Sequence, residues 1–171
     1  MPHFDVTVAG ELNLDLILYG LPLQLEPERE LMAEGLALTL GSSSAIFANN
    51  LAVMGSKVGF ISRIGEDPLR EIALARLAAG GVDVSQVRKV AGPATTGLTV
   101  ILPRQGCRNI LTYPGTMQEM CFEDLNLDYL AGAKHFHLSS FFRHRALRPR
   151  RLQCRDPLEK HSGRNPMLVR D

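Results

Sequence analysis

The chain has 171 residues, of which 45% are hydrophobic and 22% charged, with a net charge of +1. That size allows one domain, or one and a fragment, and the composition excludes a wholly disordered protein. No apolar run approaches the ~20 residues of a membrane helix, and MPHFD at the start lacks the basic-then-apolar pattern of a secretory leader. The near-zero charge hides an asymmetry. Residues 1–142 carry ten Lys/Arg against fifteen Asp/Glu, a net of −5, whereas residues 143–171 carry nine against three, a net of +6. Only eight of those last twenty-nine residues are hydrophobic, so we expect a patterned acidic domain over 1–142 and a basic tail without regular structure over 143–171. Cys107, Cys121 and Cys154 are too widely spaced for a disulfide framework or a zinc motif, and fit a reducing cytoplasm.

Phe4–Gly10 (FDVTVAG) is β-rich, ends in glycine and predicts a strand at the centre of a sheet. Leu14–Tyr19 predicts a second strand and Leu36–Leu40 a third, before Gly41-Ser42-Ser43-Ser44 breaks the pattern. Ala45–Met54 predicts a helix with Ile46, Leu51 and Met54 as core positions, stopped at Gly55. Lys57–Ile64 reads as a strand. Asp67-Pro68 is a helix start, because aspartate caps free N–H groups and proline fits the first helical position; that helix runs to Ala79 and ends at Gly80-Gly81. Val82–Val90 is extended, Thr96–Leu102 and Asn109–Tyr113 form a hairpin about Gly106, Phe122–Ala131 is a helix and Lys134–Ser139 a strand. Strand–helix alternation over the first ninety residues predicts an α/β fold with parallel pairs. The pieces near Leu14, Leu36 and Thr96–Tyr113 do not fit that alternation and predict a small separate sheet.

Several chemistries are missing from the sequence: there is no G-x-x-x-x-G-K-[ST] loop, no G-x-G-x-x-G after the first strand and no G-x-S-x-G elbow. His135-x-His137 places two imidazoles on one strand face, with no third metal ligand in evidence. Two constellations remain. Gly10-Glu11-Leu12-Asn13-Leu14-Asp15 falls at the carboxyl end of the first strand, where open α/β sheets hold their ligands. An ionised Asp15 there can accept hydrogen bonds from two neighbouring hydroxyls; the alternative is that Asn13 and Asp15 only shape a turn. Gly41–Ser44 opens a helix, where small residues let a ligand approach free N–H groups; the alternative is an ordinary serine cap.

The order GELNLD, LTLGSSSAIFANNLAVMG, KVGFISRIGEDPLREIALARLAAGGVDV and TTGLTVILPRQGCRNILTYPG resembles the N-terminal half of the ribokinase-like (PfkB) carbohydrate kinases, over about residues 4–142. The resemblance implies a ribokinase-like α/β fold: a mostly parallel central sheet flanked by helices, with a β-sheet lid at about 12–20, 34–40 and 96–113 that closes over a sugar. It implies ATP and Mg as co-substrate and cofactor, a sugar or polyol as partner and a homodimer through the lid. Asp15 matches the family's hydroxyl-binding acid, with Asn13 beside it. Gly41 matches the first glycine of a Gly-Gly substrate loop, in which Ser42 replaces the second. The substrate-binding residues expected on this basis are Asn13, Asp15, Gly41, Ser42, Gly97 and Tyr113, with Leu98 and Ile101 also near the pocket.

This sequence departs from the family in three ways. Ile46 stands where the family has a substrate-contacting asparagine, which argues against ribose, and Arg70 stands where glycine is common. The Gly-rich D-T-x-G-x-G-D segment, which in the family supplies the catalytic base and an anion hole, has no counterpart in these 171 residues. The expectation is therefore the substrate-recognising half of a sugar kinase, ending by truncation or frameshift near residue 142, without its nucleotide site and inactive alone. The rival expectations are a sugar-binding or lid-dimerisation module and an unstable fragment with no function. A nucleic-acid-binding arm at Arg143–Arg151 is disfavoured by Pro149 and the lack of aromatic residues beyond Phe142.

Overall fold

The structure, a computed structural model, describes residues 3–90, 92–141, 144 and 147. In chain order its strands are β1 (Phe4–Ala9), β2 (Asn13–Tyr19), β3 (Gly35–Leu40), β4 (Val58–Ile64), β5 (Asp83–Lys89), β6 (Gly97–Arg104), β7 (Cys107–Tyr113) and β8 (Ala133–Leu138). The α-helices are α1 (Ser43–Val53), α2 (Pro68–Ala79) and α3 (Leu127–Ala131). They build two four-stranded sheets. The core sheet has the order β5-β4-β1-β8 and is parallel throughout. The second has the order β3-β2-β6-β7, antiparallel at its two outer pairs and parallel where β2 meets β6. Both the parallel sheet and the separate small sheet expected from the sequence are present.

The core sheet follows from apolar continuity. A strand inside a parallel sheet is covered on both faces and reads as a near-unbroken apolar run, and β4 is buried at every position except Arg63. Val8, Val58, Phe60 and Ile64 join Ala45 and Ala48 of α1 and Ala73 and Leu77 of α2 in the main core. Leu14, Leu40 and Leu98 of the second sheet pack into that same core, which ties the two sheets together. Asp67 caps α2 as expected, its Oδ1 accepting from the Leu69 N–H at 2.9 Å. Its Oδ2 also accepts from the N–H and hydroxyl of Thr96, at 2.6 and 2.8 Å. One carboxylate thus fixes both a helix start and the entry to β6.

Two expectations are corrected. The buried positions of α1 are Ser44, Ala45 and Ala48; Ile46 and Met54 are exposed, and Leu51 only packs at the core's margin. The cause is close approach, since even a Cβ on Gly10 would lie 2.5 Å from Ser44 Cβ. Only small side chains fit between α1 and β1, so the large ones turn away. The helix expected over Phe122–Ala131 is a 3-10 turn, Phe122–Asp124, followed by the five-residue α3. Asp124 is buried, accepting from the Cys121 N–H at 2.8 Å and pairing with Arg63 Nε at 2.6 Å. Asn126 then caps a new helix through the Tyr129 N–H. These two anchors hold Leu125 and Asn126 extended, with ψ near 100° at both.

Of the tail expected over 143–171, His144 and Leu147 are described. Both are buried, Leu147 against Ala9, Ile61 and Met120. Its other residues, including Cys154 and the remainder of Arg143–Arg151, lie outside the described residues. Among the described residues, no helix is long and apolar enough to cross a membrane.

Candidate functional site

At the junction of the two sheets lies a crevice of about 410 Å³. One wall comes from the end of β1 and the start of α1: Glu11, Ser42, Ser43 and Ile46, joined by Ser140 beyond β8. The other wall is a face of the second sheet. Side chains alternate along a strand, and the register pairs Asn13 with Gly97, Asp15 with Thr99, Ile17 with Ile101, Thr99 with Thr112 and Ile101 with Ile110. Asn13, Asp15, Thr99, Ile101, Ile110 and Thr112 therefore share one face, and all six line the crevice, with Arg108 two residues further along β7.

Three features fix the polar end. Gly41 stands directly behind it: a Cβ there would lie 2.5 Å from Asn13 Nδ2 and closer still to Asp15 Oδ1. Any larger residue would displace both side chains. Asn13, fully buried, donates from Nδ2 to Asp15 Oδ1 at 3.3 Å and to Thr99 Oγ1 at 3.4 Å, while its Oδ1 has no partner. Such an orphan acceptor at a crevice wall is unusual, because buried polar atoms are paired in the great majority of cases. Burial pushes the Asp15 carboxyl above its ordinary range, partly offset by Thr99 and Asn13.

Ser42 is the N-cap of α1. Its hydroxyl donates to the Glu11 carbonyl at 2.7 Å and accepts from the Ala45 N–H at 3.1 Å. The backbone of Ser42 has φ 63° and ψ 145°, a conformation that glycine adopts freely and other residues hold only under strain. Glu11 lies beside it, nearly buried, accepting from Ser140 Oγ at 2.7 Å with Oε2 3.5 Å from His144 Nε2. Burial works to raise the Glu11 carboxyl, but hydrogen bonding by His144 and Ser140 outweighs it and holds the group below its ordinary value.

Of the residues expected from the sequence, Asn13, Asp15, Ser42 and Ile101 line the crevice, and Gly41 backs it. Gly97 is buried one step away, with Met117 filling the space a side chain would need. Leu98 faces the core. Tyr113 is exposed, its hydroxyl 3.3 Å from Thr95 Oγ1. Glu11, Thr99, Arg108, Ile110, Thr112 and Ser140 were not among the expected residues. The four on β6 and β7 follow from period-two alternation once the register with β2 is known. His137 of the His-x-His pair stacks on Phe47, with ring centroids 4.3 Å apart.

Fold and crevice together define an α/β domain with an open crevice between a parallel sheet and a second, mixed sheet. The chain belongs to the pfkB family of carbohydrate kinases, the match spanning residues 4–164. It is 28% identical over 141 residues to a 5-dehydro-2-deoxygluconokinase of Clostridium perfringens, covering 80% of this chain and 40% of that one. It is 26% identical over 110 residues to a fructokinase described as probable in Arabidopsis thaliana, covering 63% of this chain and 34% of the relative. Among solved structures, a PfkB protein from Polaromonas superposes with a TM-score of 0.66 at 28% identity, over 78% of this chain and 44% of that one. The chain thus spans about 40% of the length of the curated relatives it first matches.

ATP and Mg are bound by the family, but the residues of this crevice do not match them. Among the described residues no three His, Cys, Asp or Glu side chains gather as a metal site, and the sequence has no G-x-x-x-x-G-K-[ST] motif.

Proposed function

We propose that this crevice is the sugar-recognising part of a PfkB-type kinase site. Asp15 accepts hydrogen bonds from adjacent hydroxyls of the sugar or polyol, and Asn13 Oδ1 accepts a third. Thr99 and Thr112 offer hydroxyls that both donate and accept, and the absent Cβ of Gly41 makes room for the Asn13 and Asp15 side chains. Ser42 serves through its cap, holding the start of α1 at the wall. The observation that carries this reading is the unpartnered, fully buried Asn13 Oδ1 beside Asp15. In the absence of ligand that atom costs free energy, which a ligand hydroxyl would recover.

Phosphoryl transfer needs a placed base and charge stabilisation around the transferring group. The D-T-x-G-x-G-D segment that supplies them in the family has no counterpart in this sequence, so we propose that the 171 residues bind a sugar without phosphorylating it. Isothermal titration with a panel of pentoses, hexoses and sugar acids, run beside a labelled-ATP assay, tests both statements. Binding lost on Asp15→Ala without product formation supports the reading. Product above a no-protein control, lost on Asp15→Ala, would overturn the inactive part, and binding that survives that substitution would move the site elsewhere.

A second reading is favoured by β7, which is exposed at all seven positions. Ile110, Leu111 and Tyr113 are each more than half exposed, so two lid sheets meeting would cover apolar surface that one leaves in water. A homodimer through the lid predicts a dimer by sedimentation that Leu111→Lys dissociates. The free thiols of Cys107 and Cys121 suit a reducing compartment, and the cytoplasm is proposed on that ground.

A further inference from the structure

We propose that Glu11 and His144 form a proton-dependent latch, closed when the imidazole is charged, that fastens the chain beyond β8 to the wall of the crevice. The latch is independent of what the crevice binds. His144 is fully buried and Glu11 is 5% exposed. Among the described residues, Glu11 Oε2 and both ring nitrogens of His144 lack a hydrogen-bond partner, yet Oε2 and Nε2 lie only 3.5 Å apart. That is about 0.6 Å beyond a charge-assisted N–H···O bond, a gap that a small turn of the ring closes.

The surroundings of the pair are already fixed. Ser42 and Ser44 donate to the Glu11 carbonyl at 2.7 and 3.0 Å, and Ser140 donates to Oε1 at 2.7 Å. Glu11 and Ser140 both line the crevice, so the latch secures one end of that wall. On the other side, the Leu147 N–H bonds to the His144 carbonyl, and the Leu147 side chain enters the cluster of Ala9, Ile61 and Met120. Apolar contact does not respond to protons; the Glu11–His144 contact does. A neutral imidazole carries one N–H and an imidazolium two. Once the ring is charged, Nε2–H donates to Oε2, and the opposite charges attract strongly because water is excluded from both. Burial raises the Glu11 carboxyl, but His144 and Ser140 outweigh it and hold the group below its ordinary value. Glu11 is therefore ionised across the range from pH 5 to 8 in which imidazoles ordinarily titrate.

The other ionisable groups on this side of the core sheet are engaged elsewhere. Arg63 and Arg88 face Asp124, the Cys121 thiol donates to Asp124, and Tyr129 donates to Asp83. Glu119, Glu123 and Asp128 are exposed, and Arg143 and Arg145, which flank His144 in sequence, lie outside the described residues. The latch thus contributes to stability below the ordinary histidine value, and that contribution fades as pH rises past it.

Urea denaturation of the full chain, of Glu11→Gln, of His144→Gln and of the double variant measures the coupling between the two residues as a double-mutant cycle. At pH 6 the coupling is expected to change the unfolding constant about tenfold to a hundredfold, as for a hydrogen bond to a charged group; at pH 8 it should be absent. Amide exchange reads the same event in the parent. Protection of the His144 and Leu147 amides, which bond to the Phe141 and His144 carbonyls, should fall from pH 6 to pH 8 after correction for intrinsic rates, while protection in β4 does not. Coupling that is zero at both pH values, or equal at both as a merely structural contact would give, overturns the latch. If a variant fails to fold, exchange in the parent decides: protection of these two amides that is unchanged or greater at pH 8 overturns it as well.

Discussion

Strands β4 and β7 have seven residues each, yet one is buried almost end to end and the other exposed at every position. β4 lies between β1 and β5 with helices against the sheet, and its side chains are spent on packing. β7 hangs from the edge of the lid, paired only with β6. The lid is held by its rear face, where Leu14, Leu40 and Leu98 enter the core, while its front face of carboxylate, hydroxyl and isoleucine side chains stays open. Buried apolar packing therefore concentrates in the parallel sheet, while the open face of the lid carries polar side chains of the crevice wall. Regions with few buried apolar contacts open first, so β7 is expected to open before β4.

The largest effect should come from testing that contrast directly. Phe60 of β4 is fully buried, and Phe60→Ala is expected to cost about 3–5 kcal/mol by urea denaturation. Leu111→Ala, on the exposed β7, should change stability by no more than about 0.5 kcal/mol. Equal losses would break the comparison and point to a covered lid, as the dimer reading requires. Next is Asp124→Ala. It removes a buried carboxylate bonded to Arg63 at 2.6 Å and should cost about 3 kcal/mol, the lower end for breaking a buried pair, because Arg63 remains partly in water. A loss below about 1 kcal/mol would mean that the turn before α3 is held by packing alone.

The third effect is a gain. Ser42 holds φ 63° and ψ 145°, which costs a non-glycine residue roughly 1–3 kcal/mol. Ser42→Gly relieves that strain, loses only a few tenths of a kcal/mol as a cap, and removes one hydrogen bond to the Glu11 carbonyl. That carbonyl keeps a second donor, Ser44 Oγ at 3.0 Å, so this loss is also small. A net stabilisation of about 1 kcal/mol in chemical melts is expected. A neutral or destabilising result would show that the cap and the Glu11 bond outweigh the backbone strain.

What could be read from the sequence divides along the same line as the two strands. The β-rich stretches of β1 and β4, the Asp67-Pro68 helix start and the turn at Gly106 are local signals, and each led to the observed element. The helix break at Leu125 and Asn126 was not legible, because it depends on Arg63 reaching Asp124 from another strand. Ile46 reads as a core position by helical spacing, yet the close approach of α1 to β1 turns it toward the crevice. In the site, Asn13, Asp15, Gly41 and Ser42 stood out as chemistry-bearing residues at a strand end and a helix start. Thr99, Thr112 and Arg108 did not, because their shared face exists only once β2, β6 and β7 are in register. That register is a long-range property: Asp15 meets Thr99, and no local pattern encodes the pairing.

The smallest effect concerns the two carboxyls of the crevice, which should respond to pH with opposite signs. Burial holds Asp15 above its ordinary value, partly offset by Thr99 and Asn13. The folded state then binds this proton more readily than the unfolded chain, so stability falls as pH rises through the folded pKa. At neutral pH the ionised Asp15 is a cost of folding, and it disappears once pH drops below the unfolded aspartate value. Glu11 behaves in reverse. Burial opposes its charge, but His144 and Ser140 prevail and lower its pKa, so its contribution is present at neutral pH and is lost on acidification. Asp15→Asn should therefore raise the melting temperature at pH 7 by a small amount, the gain vanishing in acid, whereas Glu11→Gln should lower it at pH 7 with the difference also closing in acid. The gain in the first variant should be modest, because Asp15 is only half-buried and water screens its charge. Melting curves of both variants from neutral to acid pH check the signs. If Asp15→Asn melts lower than the parent at pH 7, its carboxylate supports the fold, and the division between a stabilising core sheet and a lid face kept open for a ligand does not hold at that residue.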